Sequence, residues 1–451
     1  QDWTALAFAA VMLALAGLGK KLQSFHLQVQ YIAIGLLTVM RVVMVNLHRD
    51  APANTHLPIR LFTLSAIAAG FYAAAKWAQL HDDSNQRSLR GFLSLGGTGL
   101  LTALIYYEVP ELWQPIAAIV LVVALVEIGQ WVKYHTLAWH AHVLSALALL
   151  ESVTDDLFTQ RWHGIPVHAF NALAVAAGAY WIAKRIAVPN SAHVKAARVA
   201  YSWAGTGLMM WFLNEAVALP WIAVSWITFA IVLALIMRRI GYRQLAWQAN
   251  VVAACTVIRA FDSNFNLAQT VWPGISLRLV TISIVSAGLY FLSRSAVISD
   301  SPAKPAITYV HTFAATGLLA YLAWFEAPGA WLAAVWAIFA LILALVDRRF
   351  EIEDLRWQAH ALAALAMLRS ISVNLYYTDS WHGISLRLLS LAIVALVMYA
   401  MAQIIRLPQR WRERDFHHIY SWSASALVSL LVWYELQPLS IAVAWGVFGL
   451  V

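Results

Sequence analysis

Five ionisable side chains lie close together in the sequence: Glu151, Asp155, Asp156, His163 and His168. Carboxylates beside imidazoles can pass a proton near neutral pH or hold a metal ion, so this cluster is the candidate functional site. Whether it takes a metal stays open, and a plainer reading has Arg161 neutralise Glu151 or Asp156. A second set is cationic: Arg41, Arg259 and Arg369, each near one end of an apolar stretch. An unpaired charge in such a stretch is costly, so these residues face either a partner or a substrate. Glu215 and Glu326 stand at matching depth, which predicts structural ion pairs Arg259–Glu215 and Arg369–Glu326. No Walker loop, dinucleotide glycine pattern, HExxH helix or Gly-x-Ser-x-Gly elbow is present, so no catalytic residue is assigned and no cofactor is expected.

These residues are copies of one another, which shows what must position them. The arginine position recurs at 41, 151, 259 and 369, with Glu151 in place of arginine in one copy. Asn46, Asp156, Asn264 and Asn374 follow five residues later. Glu108, Glu215, Glu326 and Glu435 keep the same period, each closely followed by a proline. Nine or ten residues before them stand Thr98, Thr206, Thr316 and Ser425, flanked by glycine or alanine, a pattern that permits close helix contact. Trp139-His140, Trp247-Gln248 and Trp357-Gln358 open a further segment, with the tryptophan suited to a membrane interface and the glutamine to bonds across helices. Several landmarks on one period of about 110 residues indicate internal repetition.

Each period reads as four helices, a to d: a ends at the glutamate, b begins at the proline, c at the Trp-Gln step, and d after a Gly-Ile step. The segmentation is 1–90 (a partial repeat of three spans), 91–198 (a repeat of divergent charge), 199–306, 307–415, and a truncated repeat at 416–451. The chain begins at Gln1 and stops in an apolar run at Val451, so both ends read as cuts within a longer protein.

Of the 451 residues, 62% are hydrophobic and 12% charged, with a mean hydropathy of +0.69. Soluble domains carry about twice that charge, and runs of roughly 20 apolar residues suit a helix crossing a bilayer. The expected fold is therefore all-α: a polytopic transmembrane array of parallel, same-orientation four-helix repeats with about 17 spans. Of 30 basic residues, 21 fall in the b–c and d–a loops, among them Lys20, Arg90, Arg238, Arg294 and Arg348, and five near the opposite loops. The positive-inside rule then puts the b–c and d–a loops in the cytoplasm. The net charge of +8 is thus a topology signal, and nucleic acid is not an expected partner. Partners are the lipid bilayer and other membrane subunits. The outer c–d loops end in Trp162-His163-Gly164, Trp272-Pro273-Gly274 and Trp381-His382-Gly383, aromatic steps fit for interfacial anchoring or for stacking on sugars.

The Trp-Gln-Ala, Arg-x4-Asn and Glu-x-Pro steps resemble a large bacterial family of polytopic membrane proteins of uncharacterised function, catalogued as domain of unknown function 2339. The resemblance spans nearly the whole chain. It implies the bacterial cytoplasmic membrane, with a cytosolic segment before Gln1, and supplies no reaction. The leading functional expectation is a non-enzymatic membrane protein that translocates a solute, lipid or polymer or scaffolds its export. The alternatives are a membrane-embedded transferase acting on a lipid-linked substrate at the outer face, and an architectural subunit of a larger membrane complex.

Overall fold

Seventeen α-helices account for most of the described residues of a computed structural model, which describes residues 3–47, 59–77, 83–132, 136–152, 161–162, 165–185, 192–295, 304–404 and 418–450. Two compact units result, Gln1–Val217 and Ala218–Val451, the division falling inside the 199–306 segment. The first contains α1 (Thr4–Leu22), α2 (Phe25–Arg41, continued by a π turn to Asn46), α3 (Ile59–Trp77), α4 (Asp83–Glu108), α5 (Gln114–Val132), α6 (Thr136–Glu151), α7 (Val167–Arg185) and α8 (Ala192–Ala216). The second contains α9 (Ile222–Ile240), α10 (Gln244–Asp262), α11 (Leu277–Ser295), α12 (Lys304–Glu326), α13 (Leu332–Phe350), α14 (Glu353–Ser372), α15 (Leu386–Ile404), α16 (Ile419–Glu435) and α17 (Pro438–Leu450).

Helix pairing is repeat-like. In the first unit α1 packs on α2 and α3, α3 on α4, α5 on α6 and α7, and α7 on α8. The second unit uses the same scheme: α9 packs on α10 and α11, α11 on α12, α13 on α14 and α15, and α15 on α16. Alanine is frequent where the helices meet, and its small side chain lets backbones approach. One core of the second unit is built from residues such as Ala337, Ala340, Leu362, Ala366, Leu391 and Val394, all buried. In the first unit Met12, Leu64, Ile67 and Phe71 form one such core and Val122, Leu125 and Val175 another.

The connections recur as well. A tight turn joins helix a to helix b, closed by the amides of Trp113, Trp221 and Trp331 donating to the third carbonyl back at 2.8 Å in each case. Helices α1, α9 and α13 stop at left-handed residues, Gln23, Gly241 and Glu351. The c–d connections carry two-stranded antiparallel hairpins: Arg161–Trp162 (β1) with Ile165–Pro166 (β2), Thr270–Trp272 (β3) with Ile275–Ser276 (β4), and Ser380–Trp381 (β5) with Ile384–Ser385 (β6). Gly274 and Gly383 turn the last two with φ near 80° (81° and 80°), a conformation open to glycine without strain.

Among the described residues, eight helical stretches are long and apolar enough to cross a membrane, including Glu111–Val132, Leu219–Ile240 and Leu386–Ile404. The other nine described helices, α6, α10 and α14 among them, are not: α6 has 16 residues, and α14 carries Glu353, Asp354, Arg356 and Arg369, so these eight do not by themselves make up the expected 17 spans.

Candidate functional site

Each glutamate that ends a helix a meets a nitrogen-bearing side chain on the preceding helix d. Three pairs are alike: Arg60 Nε to Glu108 Oε1 at 2.9 Å, Arg278 Nε to Glu326 Oε1 at 2.8 Å, and Arg387 Nε to Glu435 Oε1 at 2.8 Å. Every one of these guanidinium groups also donates through Nη1 to a carbonyl of the c–d connection: Leu47 at 3.2 Å, Phe265 at 3.0 Å and Leu375 at 3.2 Å. Each also lies over the ring just before its glutamate, 5.6 Å from the centroid of Tyr107, 4.8 Å from Phe325 and 5.3 Å from Tyr434. One side chain therefore fastens the c–d connection and the end of helix a to helix d. A rigid, forked cation suits that task.

The fourth pair departs from this. His168, buried at the same position, places Nε2 3.6 Å from Glu215 Oε2, beyond ordinary hydrogen-bond length.

These contacts correct the expected ion pairs. Glu326 meets Arg278 rather than Arg369, and Glu215 meets His168. Arg369 still reaches the a–b turn, but through the carbonyl of Gly329 at 3.1 Å, with its guanidinium 5.0 Å from the Trp324 ring centroid. Arg259 has its carboxylate contact with Asp262, 3.9 Å away in the same helix and well exposed. The cause is which helix is the neighbour: Arg278 lies on α11, which packs along α12 and so meets Glu326, and Arg387 lies on α15, which packs along α16 and meets Glu435.

Two further polar contacts recur beneath this layer. A tyrosine of helix d bonds the hydroxyl 26 residues ahead on helix a: Tyr72 to Thr98 at 2.7 Å, Tyr180 to Thr206 at 2.7 Å, Tyr290 to Thr316 at 2.5 Å and Tyr399 to Ser425 at 2.8 Å. Helix c supplies a third member. Gln358 accepts from Thr316 and donates to Thr312 at 2.9 Å, while His140 Nδ1 lies 3.0 Å from Thr98 Oγ1. The cross-helix role expected of Gln358 is what the structure gives it. The hydroxyl step also allows the expected close approach, since a Cβ on Gly97 or Gly205 would stand 3.1 or 3.2 Å from the carbonyl of Ala68 or Ala176. The sequence reading missed the tyrosines, although positions 72, 180, 290 and 399 keep the period.

The second contact caps the a–b turn. Asn264 Nδ2 donates to the Pro220 carbonyl at 2.9 Å, and Asn374 Nδ2 to the Ala330 carbonyl at 2.8 Å. Both carbonyls immediately precede the recurring tryptophan. In the divergent copy the equivalent carbonyl, Leu112, accepts from Asn171 on α7 at 2.9 Å. Asn171 occupies the position held by Thr281 and Ser390 elsewhere, so the amide has moved from the end of helix c to helix d while its acceptor stayed the same.

Of the candidate cluster, Asp155, Asp156 and His163 lie outside the described residues. Glu151 ends α6 and lines a cleft of about 60 Å³ with Thr102, Ile105 and Tyr106 of α4, Gln114 and Ala118 of α5, and Leu144 and Leu147 of its own helix. Gln114 Nε2 donates to the carbonyls of Tyr106 and Val109, both at 3.1 Å, and fixes the wall. Gln114 was another omission; its signal is a polar residue where the other copies have Ile222 and Leu332. Glu151 and His168 thus sit in different surroundings, one in this cleft and the other beside Glu215.

No protein-family model matches the chain, and no curated protein matches it. Among solved structures it is similar to a circular tandem repeat protein with novel repeat topology and enhanced subunit contact surfaces, at 11% identity over 99% of this chain and 100% of that one, with a TM-score of 0.41.

Proposed function

We propose that this chain is an integral membrane scaffold: like-oriented four-helix units in a bacterial cytoplasmic membrane, on which export of a solute, lipid or polymer is organised. The observation that carries the scaffold reading is how the polar groups are spent. Arg278, Arg387, Glu326, Glu435, Tyr290, Thr316 and Gln358 bind one another or backbone carbonyls between helices. The buried cluster of the second unit is mostly alanine, leucine and valine, with Trp336, Met398, Met401 and Tyr420 among them. Side chains committed to holding helices together support a building role more than a transport path, which needs polar groups facing a lumen. The membrane setting is supported by the apolar helices and by the 21 basic residues gathered at the b–c and d–a connections and the helix ends beside them.

Two experiments test this. In a Cys255→Ser background, single cysteines at Ser263 or Ser380 are expected to react with impermeant thiol reagents from outside intact cells, and one at Ser301 to be protected. The opposite pattern overturns the orientation. Purified protein in liposomes is expected to leave fluorescent-lipid scrambling and solute efflux at the protein-free rate. A clear acceleration, abolished by denaturing the protein, overturns the scaffold in favour of translocation.

A further inference from the structure

We propose that the cleft beside Glu151 binds an alkylammonium group, from a lipid headgroup or from a free amine. Glu151 matches Arg369 in the period; Tyr106 matches Trp324, two residues before the glutamate; Gln114 matches Leu332, one residue after the tryptophan. In the copy that carries Arg369 the protein places its own cation at this position, whereas Arg259 in another copy meets Asp262. The Arg369 guanidinium lies over Trp324, 5.0 Å from the centroid, and donates to the Gly329 carbonyl at 3.1 Å. The divergent copy has a shorter side chain of opposite charge, and a cleft of about 60 Å³ remains where the other copy carries a guanidinium.

The walls suit an N–H cation. Glu151 offers a carboxylate for a charge-assisted hydrogen bond, and the Tyr106 ring a face that attracts positive charge. Thr102 contributes a hydroxyl, and Gln114, whose Nε2 serves two carbonyls, retains its acceptor oxygen. Backbone polarity points the same way: α6 ends at Glu151 and α4 at Glu108, so two helix C-termini, each with partial negative charge, border the cleft. An anionic ligand would meet the carboxylate and both termini. Leu144, Leu147 and Ile105 leave apolar wall for the first carbons of the amine. The lipid source rests on the membrane setting proposed above; the chemistry of the cleft does not.

The test is made on the purified full chain in detergent, by calorimetric titration with ethylammonium chloride and, for comparison, tetramethylammonium chloride, which has no N–H. Ethylammonium is expected to bind about tenfold more tightly than tetramethylammonium, and Glu151→Gln to weaken it by about tenfold. Glu151→Arg, which installs the residue of the regular copies, is expected to abolish binding and keep the melting temperature. Arg369→Glu should create ethylammonium binding in the second unit, read in the Glu151→Arg background. If Glu151→Arg does not fold, Glu151→Gln carries the comparison. A second arm, native mass spectrometry with mixed phosphatidylethanolamine and phosphatidylglycerol, separates the sources. Preferential retention of phosphatidylethanolamine by wild type but not by Glu151→Gln identifies the lipid; ethylammonium binding without that preference identifies a soluble amine. Equal affinity for the two ammonium ions, or no effect of Glu151→Gln, overturns the proposal. Neither result bears on the scaffold, which the labelling and flux measurements decide separately.

Discussion

The stretch from Arg278 to Glu435 and the stretch from His140 to Glu215 use one helical plan and fasten it differently. In the first, arginine joins helix d to the glutamate, glutamine joins c to the threonine, and asparagine from the end of c caps the a–b turn. In the second, histidine stands at the first two places, and the cap comes from Asn171 on helix d. The difference separates two kinds of contact. The a–b carbonyl before the tryptophan is capped in both, because a backbone acceptor buried without a donor costs about 1–3 kcal/mol wherever it occurs. The arginine clamp is not replaced in kind, since His168 reaches Glu215 only at 3.6 Å. The capped turn is common to both stretches; the clamp is an addition that one of them lacks.

The largest effect expected from this comparison follows removal of a clamp. Arg278→Ala removes the cation from Glu326, leaving Ser276 Oγ as its donor, and strips the Phe265 carbonyl of its donor; it should destabilise the protein by about 3–5 kcal/mol, seen as loss of folded yield. Arg259→Ala, which breaks only a long contact with exposed Asp262, should cost less than about 1 kcal/mol. Equal losses would return weight to the sequence expectation that Arg259 is the structural pair-former.

An intermediate effect is expected at the cap. Asn171→Thr, which installs a side chain of the regular type, should cost about 1–3 kcal/mol by uncapping the Leu112 carbonyl. Adding Asp156→Asn, which restores the asparagine of the other copies, should recover most of it in a denaturation series. Additive losses in the double variant would break the equivalence drawn between the two caps.

The smallest effect concerns the histidine. His168→Arg brings the divergent copy to the clamp pattern and should raise the melting temperature in detergent, by about 1 kcal/mol in stability once the cost of fitting the larger side chain is met. A fall would show that the surroundings of His168 have diverged along with it.

Much of the fold was legible in the sequence. The helical class, the repeat-like helix pairing and the tight turn after each glutamate follow from apolar length and from proline and tryptophan placement, which act on neighbouring residues. The hydroxyl step, Gln358 and the divergent copy were legible too, because position within a period needs only counting. The partners of the ionic residues were not. Counting gives height, at about 1.5 Å per residue along a helix, and on that scale Glu326 had more than one arginine within reach. Which of them meets it depends on which helix packs along α12, and that neighbour is α11. That pairing gives Arg278 to Glu326 and leaves Arg369 to a carbonyl and an aromatic ring. The cleft at Glu151 has the same origin. The sequence determined that its charge is reversed, but only the packing of α4, α5 and α6 decided that a cleft of about 60 Å³ lies beside it.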